Sequence, residues 1–173
     1  QRPGADCRSR PAPAGDLAKG YVSANFHGVG QNFPVIKEIV DVVYKSGKGN
    51  IEKDRIGTVA YNRGVISGII IAEAMRHAID KFGMPLTGEK VRDGYRMIKL
   101  DKARLKELGA EGLMPELAFS PTYHGGVDSQ LYQQWDGKEW KTISDWIPPY
   151  EDVVWDEIKK SAKAFREETQ QKK

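Results

Sequence analysis

"VAYNRGVISGIIIAEAMRHAI", Val59–Ile79, is the most apolar stretch of a chain that is otherwise rather polar. Val65, Ile66, Ile69, Ile70, Ala72, Ala74, Met75, Ala78 and Ile79 recur at helical spacing. Together they cover well over half of a helical circumference. A helix that is apolar on so many sides is expected to be sandwiched, for instance between a sheet and other helices. Ser67, Gly68 and Glu73 interrupt the run, so it does not read as a membrane span. A Tyr61-Asn62-Arg63-Gly64 step stands at its start, and Gly83 is expected to end it.

Working outward, the segments before this helix are a strand and a helix. "GYVSANF" (Gly20–Phe26) alternates and is rich in β-formers, which predicts a short strand. A loop, "HGVGQN", follows. Asn32 then Pro34 predicts a helix start, a cap residue followed by a ring whose missing N–H costs nothing in the first turn. Ile36, Ile39, Val40 and Val43 share one face of that helix, and Gly47 and Gly49 stop it. "KGNIEKDRIG" reads as a charged linker. Beyond the central helix, Thr87–Ile98 and a segment capped by Asp101 and stopped by Gly109 are two shorter helices. "VDSQLYQQWDGKEWKTISDW" is two period-2 runs joined by Asp136-Gly137, a strong hairpin signal. After Pro148-Pro149 a last amphipathic helix starts near Glu151, with Val154, Ile158, Ala162 and Phe165 expected inward. The mix is α/β, with too few strands for a complete doubly wound sheet.

At 173 residues the chain is long enough for one ordinary domain. Its net charge of +3 is spread along a mixed pattern without Lys/Arg runs interleaved with aromatics, which argues against nucleic acid. The basic end, Gln170–Lys173, reads as solvated. Cys7 is the only cysteine, so no intrachain disulfide and no Cys-based zinc site can form. Residues 1–15 carry three Pro, two Gly and three Arg with almost nothing to bury, and read as a disordered or non-native tail. Residues 1–20 hold no apolar core segment of a secretory leader, so the chain is expected to be cytosolic, to have lost a leader, or to be part of a longer one.

Catalytic patterns are not found. Glu73 and His77 lie four apart, but no second His completes a zinc motif, and a helix-face ion pair is the expectation. "HGVG" lacks the rest of a nucleotide-binding glycine loop. Ser67 lacks the first Gly of a nucleophile elbow, and His124 in "YHGG" reads as a loop residue. No carboxylate pair or metal cluster stands out, so the chain is expected to be no enzyme and to need no cofactor.

Three stretches, in order, resemble the C-terminal part of type I periplasmic solute-binding proteins of the branched-chain amino acid ABC-transporter family. "GDLAKGYVSANFHGVGQNFPVIKEIVDVVYKSG" (Gly15–Gly47) resembles the family's Gly–acid step, strand and following helix. "AYNRGVISGIIIAEAMRHA" (Ala60–Ala78) resembles its aromatic-plus-long-helix segment, and "QLYQQWDGKEWKTISDW" (Gln130–Trp146) its late hairpin. The resemblance spans about Asp16 to the C-terminus. It implies the C-terminal portion of a two-lobed α/β fold with incomplete lobes, residues 16–173 forming about half of a solute-binding domain. Family members are about twice as long and hold their ligand between two hinged lobes.

The resemblance also implies a site. Tyr61 matches a cleft-lining aromatic, and Asp16 matches the acidic residue that holds a ligand ammonium, although Asp is one methylene shorter than the usual Glu. Tyr61 and Asn62 would lie at the N-terminal mouth of the long helix, whose free N–H groups suit a polar or carboxylate ligand. Phe26 and His27 fall at a strand end, where loops line the cleft. Each residue also has a structural reading: Asp16 as a turn cap, Tyr61 as hinge packing, Phe26-His27 as buried packing, Asn62 as the helix cap. The implied function is the substrate-binding component of an ABC importer, periplasmic or lipid-anchored. It would capture an amino acid or a related aromatic or aliphatic carboxylate or amide, and deliver it to membrane permease subunits. The alternative is a ligand-sensing domain of a receptor or regulator with the same fold. An enzyme of amide or aromatic-acid metabolism is the third reading, and no nucleophile–base set supports it.

Overall fold

The computed structural model describes residues 15–121, 123–126 and 129–171. The tail expected at residues 1–15 lies almost entirely outside the described residues, as does Cys7. A 3-10 turn, Gly15–Ala18, leads into strand β1, Val22–Asn25. Helix α1, Pro34–Ile39, starts with Pro34 in the first turn, as its sequence suggests. The residue at its cap position is Phe33, which makes no side-chain cap bond, so Asn32 does not cap it. The helix runs on into a wider π-type segment, Val40–Tyr44. The "linker" that follows is not wholly solvated, because Ile56 is buried in the core.

Helix α2, Val59–Phe82, is the long apolar segment. Its N-cap is Thr58, whose side chain accepts from the Tyr61 N–H; Asn62 lies one turn inside and does not cap. Helix α3, Gly88–Tyr95, is capped by Thr87 and ends earlier than its apolar stripe suggests, Ile98 passing into the buried approach to strand β2, Lys99–Leu100. Helix α4, Lys102–Glu107, is capped by Asp101, which accepts from Arg104 N at 2.9 Å. Strand β3, Leu117–Ala118, pairs antiparallel with β2. Strands β4, Leu131–Trp135, and β5, Trp140–Thr142, form the expected hairpin, opposing Trp135 to Trp140. Its loop is four residues long: Asp136 Oδ1 accepts from the Lys138 and Glu139 N–H groups, and Gly137 takes a φ of 104° that L residues avoid. Helix α5, Glu151–Gln171, closes the description.

The sheet order is β1-β4-β5, all antiparallel. The main core gathers Ile36, Ile66, Ile98, Leu100, Leu113 and Met114 from α1, α2, β2 and the 110–117 segment. The α2–α3 crossing is the closest packing. A Cβ on Gly94 would lie 2.2 Å from the Ala74 carbonyl oxygen, and Ala74 and Ala78 are fully buried beneath it. A smaller cluster, Val29, Val59 and Trp140, joins the start of α2 to the hairpin.

Two expectations about packing are corrected. α2 is not covered all round: it buries Val59, Asn62, Ile66, Glu73, Ala74 and Ala78, while Ile71, Met75 and Ile79 stay exposed. On α5, the Val154, Ile158 and Phe165 expected inward are exposed. Helical periodicity marks an apolar face, but the described residues supply nothing to cover either one. No helix among the described residues is long and apolar enough to cross a membrane.

Candidate functional site

The loop that leaves β1, residues 26–31, carries Phe26 and His27 and is bonded by Asn62 of α2. Its backbone is held from three directions. Gly28 N–H donates to the Leu113 carbonyl and Gly30 N–H to the Gly57 carbonyl, each at 2.8 Å. Gln31 Nε2 donates to the Ile56 carbonyl at 2.9 Å. Asn62 Nδ2 reaches across from α2 and donates to both the Gly28 and Gly30 carbonyls at 3.0 Å. Only glycine fits at position 28, because a Cβ there would sit 2.3 Å from the Phe33 ring and 2.9 Å from the Gly112 carbonyl oxygen. The loop is thus fixed before any ligand arrives, which lowers the ordering cost of binding.

Asn62 is fully buried, so it positions the loop rather than meeting a ligand. Its orientation is decided by chemistry: the two carbonyls can only accept, so the amide NH₂ must face them. The amide oxygen, Oδ1, is left buried without a partner. His27 is also buried, and its Nδ1 lies 3.1 Å from the Gly28 carbonyl oxygen. Burial pushes the His27 pKa below its ordinary value, and the Arg63 charge adds to this, against the contrary pull of the Gly28 hydrogen bond. The neutral ring that results donates Nδ1–H to that carbonyl.

Phe26 differs from its neighbours. It is 56% exposed, at the end of β1. Tyr61, in the first turn of α2, is half-buried and packs against the main core. Burial and a hydrogen bond with Tyr44 raise its phenol to about 12, so it stays a neutral hydroxyl. Asp16 is placed apart from these four. It is exposed in the turn before β1, near the hairpin tip, where Gly20 N–H donates to the Trp135 carbonyl. Phe26 and His27 are at the other end of the strand, and four extended residues span about 13 Å.

None of these five residues lines any of three depressions on the described surface. A groove of about 360 Å³ opens beside the mouth of α2, between Gly30, Thr58, Trp135 and Trp140. Two others, of about 510 and 480 Å³, lie on either side of Glu116 and Ser129. No group of three or more His, Cys, Asp or Glu side chains converges as a metal site among the described residues.

Sequence reasoning missed the strongest polar cluster. Glu73 does not pair with His77; its carboxylate is gripped twice over. Arg104 Nη2 and Nε donate to it at 2.6 and 3.1 Å, and Arg76 Nη2 and Nε at 3.0 and 3.2 Å. The Arg104 hydrogen bonds, with those of Arg76, hold its pKa down to about 2 although burial opposes this. Arg76 lies within local reach of Glu73, but Arg104 is 31 residues away, so spacing gives no signal for it.

No protein-family model matches the chain. No curated protein matches it. Solved structures do: an ABC transporter permease from the Pseudomonas fluorescens group superposes with a TM-score of 0.84 at 36% identity, over 91% of this chain and 39% of that one. A branched-chain amino acid ABC transporter from Thermus thermophilus with bound valine superposes with a TM-score of 0.62 at 21% identity, over 82% of this chain and 37% of that one. The fold is part of the type I periplasmic-binding-protein architecture. Within that architecture the chain spans less than two fifths of either solved relative.

Proposed function

We propose that this chain forms part of a solute-binding component of an ABC importer, one that grips a small amino acid or related carboxylate or amide and does not transform it. It works in the periplasm, delivers its ligand to membrane permease subunits, and needs no cofactor. The observation that carries this reading is the fold itself, shared over 91% of the chain with an ABC transporter protein and more distantly with one solved with bound valine. The rigid loop at the mouth of α2 supports it. His27 and Asn62 hold that loop, and Phe26 offers an exposed aromatic at its start. One wall of a two-walled site binds weakly, because affinity needs the area and desolvation that closure brings.

The test is a thermal-shift screen of the protein in its longest natural form against amino acids and aromatic acids. A ligand present at 100 times its Kd adds about 2.7 kcal/mol of stability, a readily measured rise in melting temperature. If no ligand class moves the melting point, the solute-binding reading fails. Asp16→Asn tests the ammonium partner separately: lost amino-acid affinity with an unchanged fold keeps Asp16 in the site, and unchanged affinity removes it.

A further inference from the structure

The groove of about 360 Å³ beside the mouth of α2 is at the small end of the ligand-pocket range, roughly 300–1,000 Å³. It lies between the 26–31 loop and the β4–β5 hairpin, and its two sides differ. On the hairpin side Trp135 lines it, half-buried. Trp140, buried against Val29 and Val59, braces Trp135 edge-on, with ring centroids 5.7 Å apart at 62°. The loop side is bare backbone at Gly30 and Gly57. Both take a positive φ, 113° and 81°, which side chains disfavour. Gly30 N–H donates to the Gly57 carbonyl at 2.8 Å. A Cβ on Gly57 would strike the Gly30 backbone at 2.7 Å, so no side chain fits there. Bare backbone and an indole lining one narrow groove suit a planar ring.

Charges of both signs stand on its rim. Asp54 and Lys138 line the groove, are exposed, and form no ion pair among the described residues. The acids of the hairpin turn already have a cation: Lys141 pairs with Glu139 and lies 3.9 Å from Asp136. Asp136 Oδ1 also accepts from the Lys138 and Glu139 N–H groups, which fixes the backbone that carries Lys138. Asn32, which does not cap α1, adds an amide to the same groove. The geometry points to this groove as the seat of the ligand, and to an aromatic amino acid as its class. The ring lies along Trp135, the ammonium meets Asp54 and the carboxylate meets Lys138. The inference rests on the solute-binding reading, because exposed charges bind strongly only once closure excludes water. Asp16 does not line the groove and has no part in it. An aliphatic amino acid brings no ring to the slot, and an aromatic acid brings no ammonium to Asp54.

Titration calorimetry of the protein in its longest natural form tests this with phenylalanine, phenylacetate, phenethylamine and valine. Phenylalanine is expected to bind, and each of the others to bind at least tenfold more weakly. Asp54→Asn and Lys138→Gln change exposed side chains and should leave the melting temperature unchanged. Asp54→Asn should weaken phenylalanine at least tenfold and leave phenylacetate as it was. Lys138→Gln should weaken phenylalanine equally and leave phenethylamine as it was. That reciprocal pattern assigns each charge to its group on the ligand. Phenylalanine affinity unmoved by both variants, all ligands weakened alike, or affinity lost in Asp16→Asn alone would each overturn the proposal. So would tight binding of another amino acid that neither variant affects, a result that leaves the solute-binding reading standing. If no amino acid or carboxylate binds at all, both fall.

Discussion

Glu73 is a carboxylate 3% exposed on a mostly apolar helix, and it stays charged because two guanidinium groups surround it. Its folded pKa, about 2, lies below its ordinary 4.5, so the stability it contributes is present above pH 4.5 and is lost as pH falls toward 2. The shift corresponds to at most about 3 kcal/mol. Glu73→Ala, which leaves Arg104 and Arg76 facing each other, should cost about 3 kcal/mol in urea unfolding at pH 7, and much less at pH 2.5. His27 acts in a higher window. Its folded pKa is depressed, so the unfolded chain binds the proton more readily, and stability falls as pH drops below 6.5. A melting temperature that declines from pH 7.5 to 5.5 in the wild type, and declines less in His27→Gln, is the expected result. Asn62→Leu should destabilise by about 2 kcal/mol, because the Gly28 and Gly30 carbonyls lose their donor inside the protein. Little of this was legible in sequence. Position at a strand end and a helix mouth made His27 and Asn62 candidates, with buried packing the structural reading of His27 and a helix cap that of Asn62. Both are buried, and Asn62 positions the 26–31 loop instead of capping α2. Asp16 sits in the turn ahead of β1, and the distance from there to His27 depends on strand direction, which residue type does not encode.

At the scale of elements, local chemistry was a better guide. Asp101 and Gly109 bound α4, Pro34 opens α1, and Asp136-Gly137 turns the hairpin, since each acts through its own backbone neighbourhood. The covered faces were not legible, because apolar spacing does not say what lies opposite. Glycines show the difference well. Gly94 lies against Ala74 and Ala78, so Gly94→Ala should overpack the α2–α3 crossing and cost about 1–3 kcal/mol in chemical denaturation. Gly64 and Gly68 are on the exposed side of α2 with open space where a Cβ would go. In this chain, Gly64→Ala and Gly68→Ala should each stabilise by up to about 1 kcal/mol, as expected in an exposed helix interior. A loss of stability instead would mean that another surface already lies against that face.

For the molecule as a whole, the α/β class was readable from the mix of strands and helices, and the type I binding-protein architecture through the resemblance carried by three stretches in order. What could not be read was which apolar surface stays open among the described residues. It comprises Ile71, Met75 and Ile79 of α2 and Val154, Ile158 and Phe165 of α5. A clamshell that captures a solute must bind it tightly and release it chemically unchanged. The most direct measurement is titration calorimetry of the protein in its longest natural form with valine, other amino acids and aromatic acids, followed by NMR of the recovered ligand. The account predicts saturable binding of at least one of them, with the ligand recovered intact. No binding to any of them, or conversion of the bound compound, would contradict it.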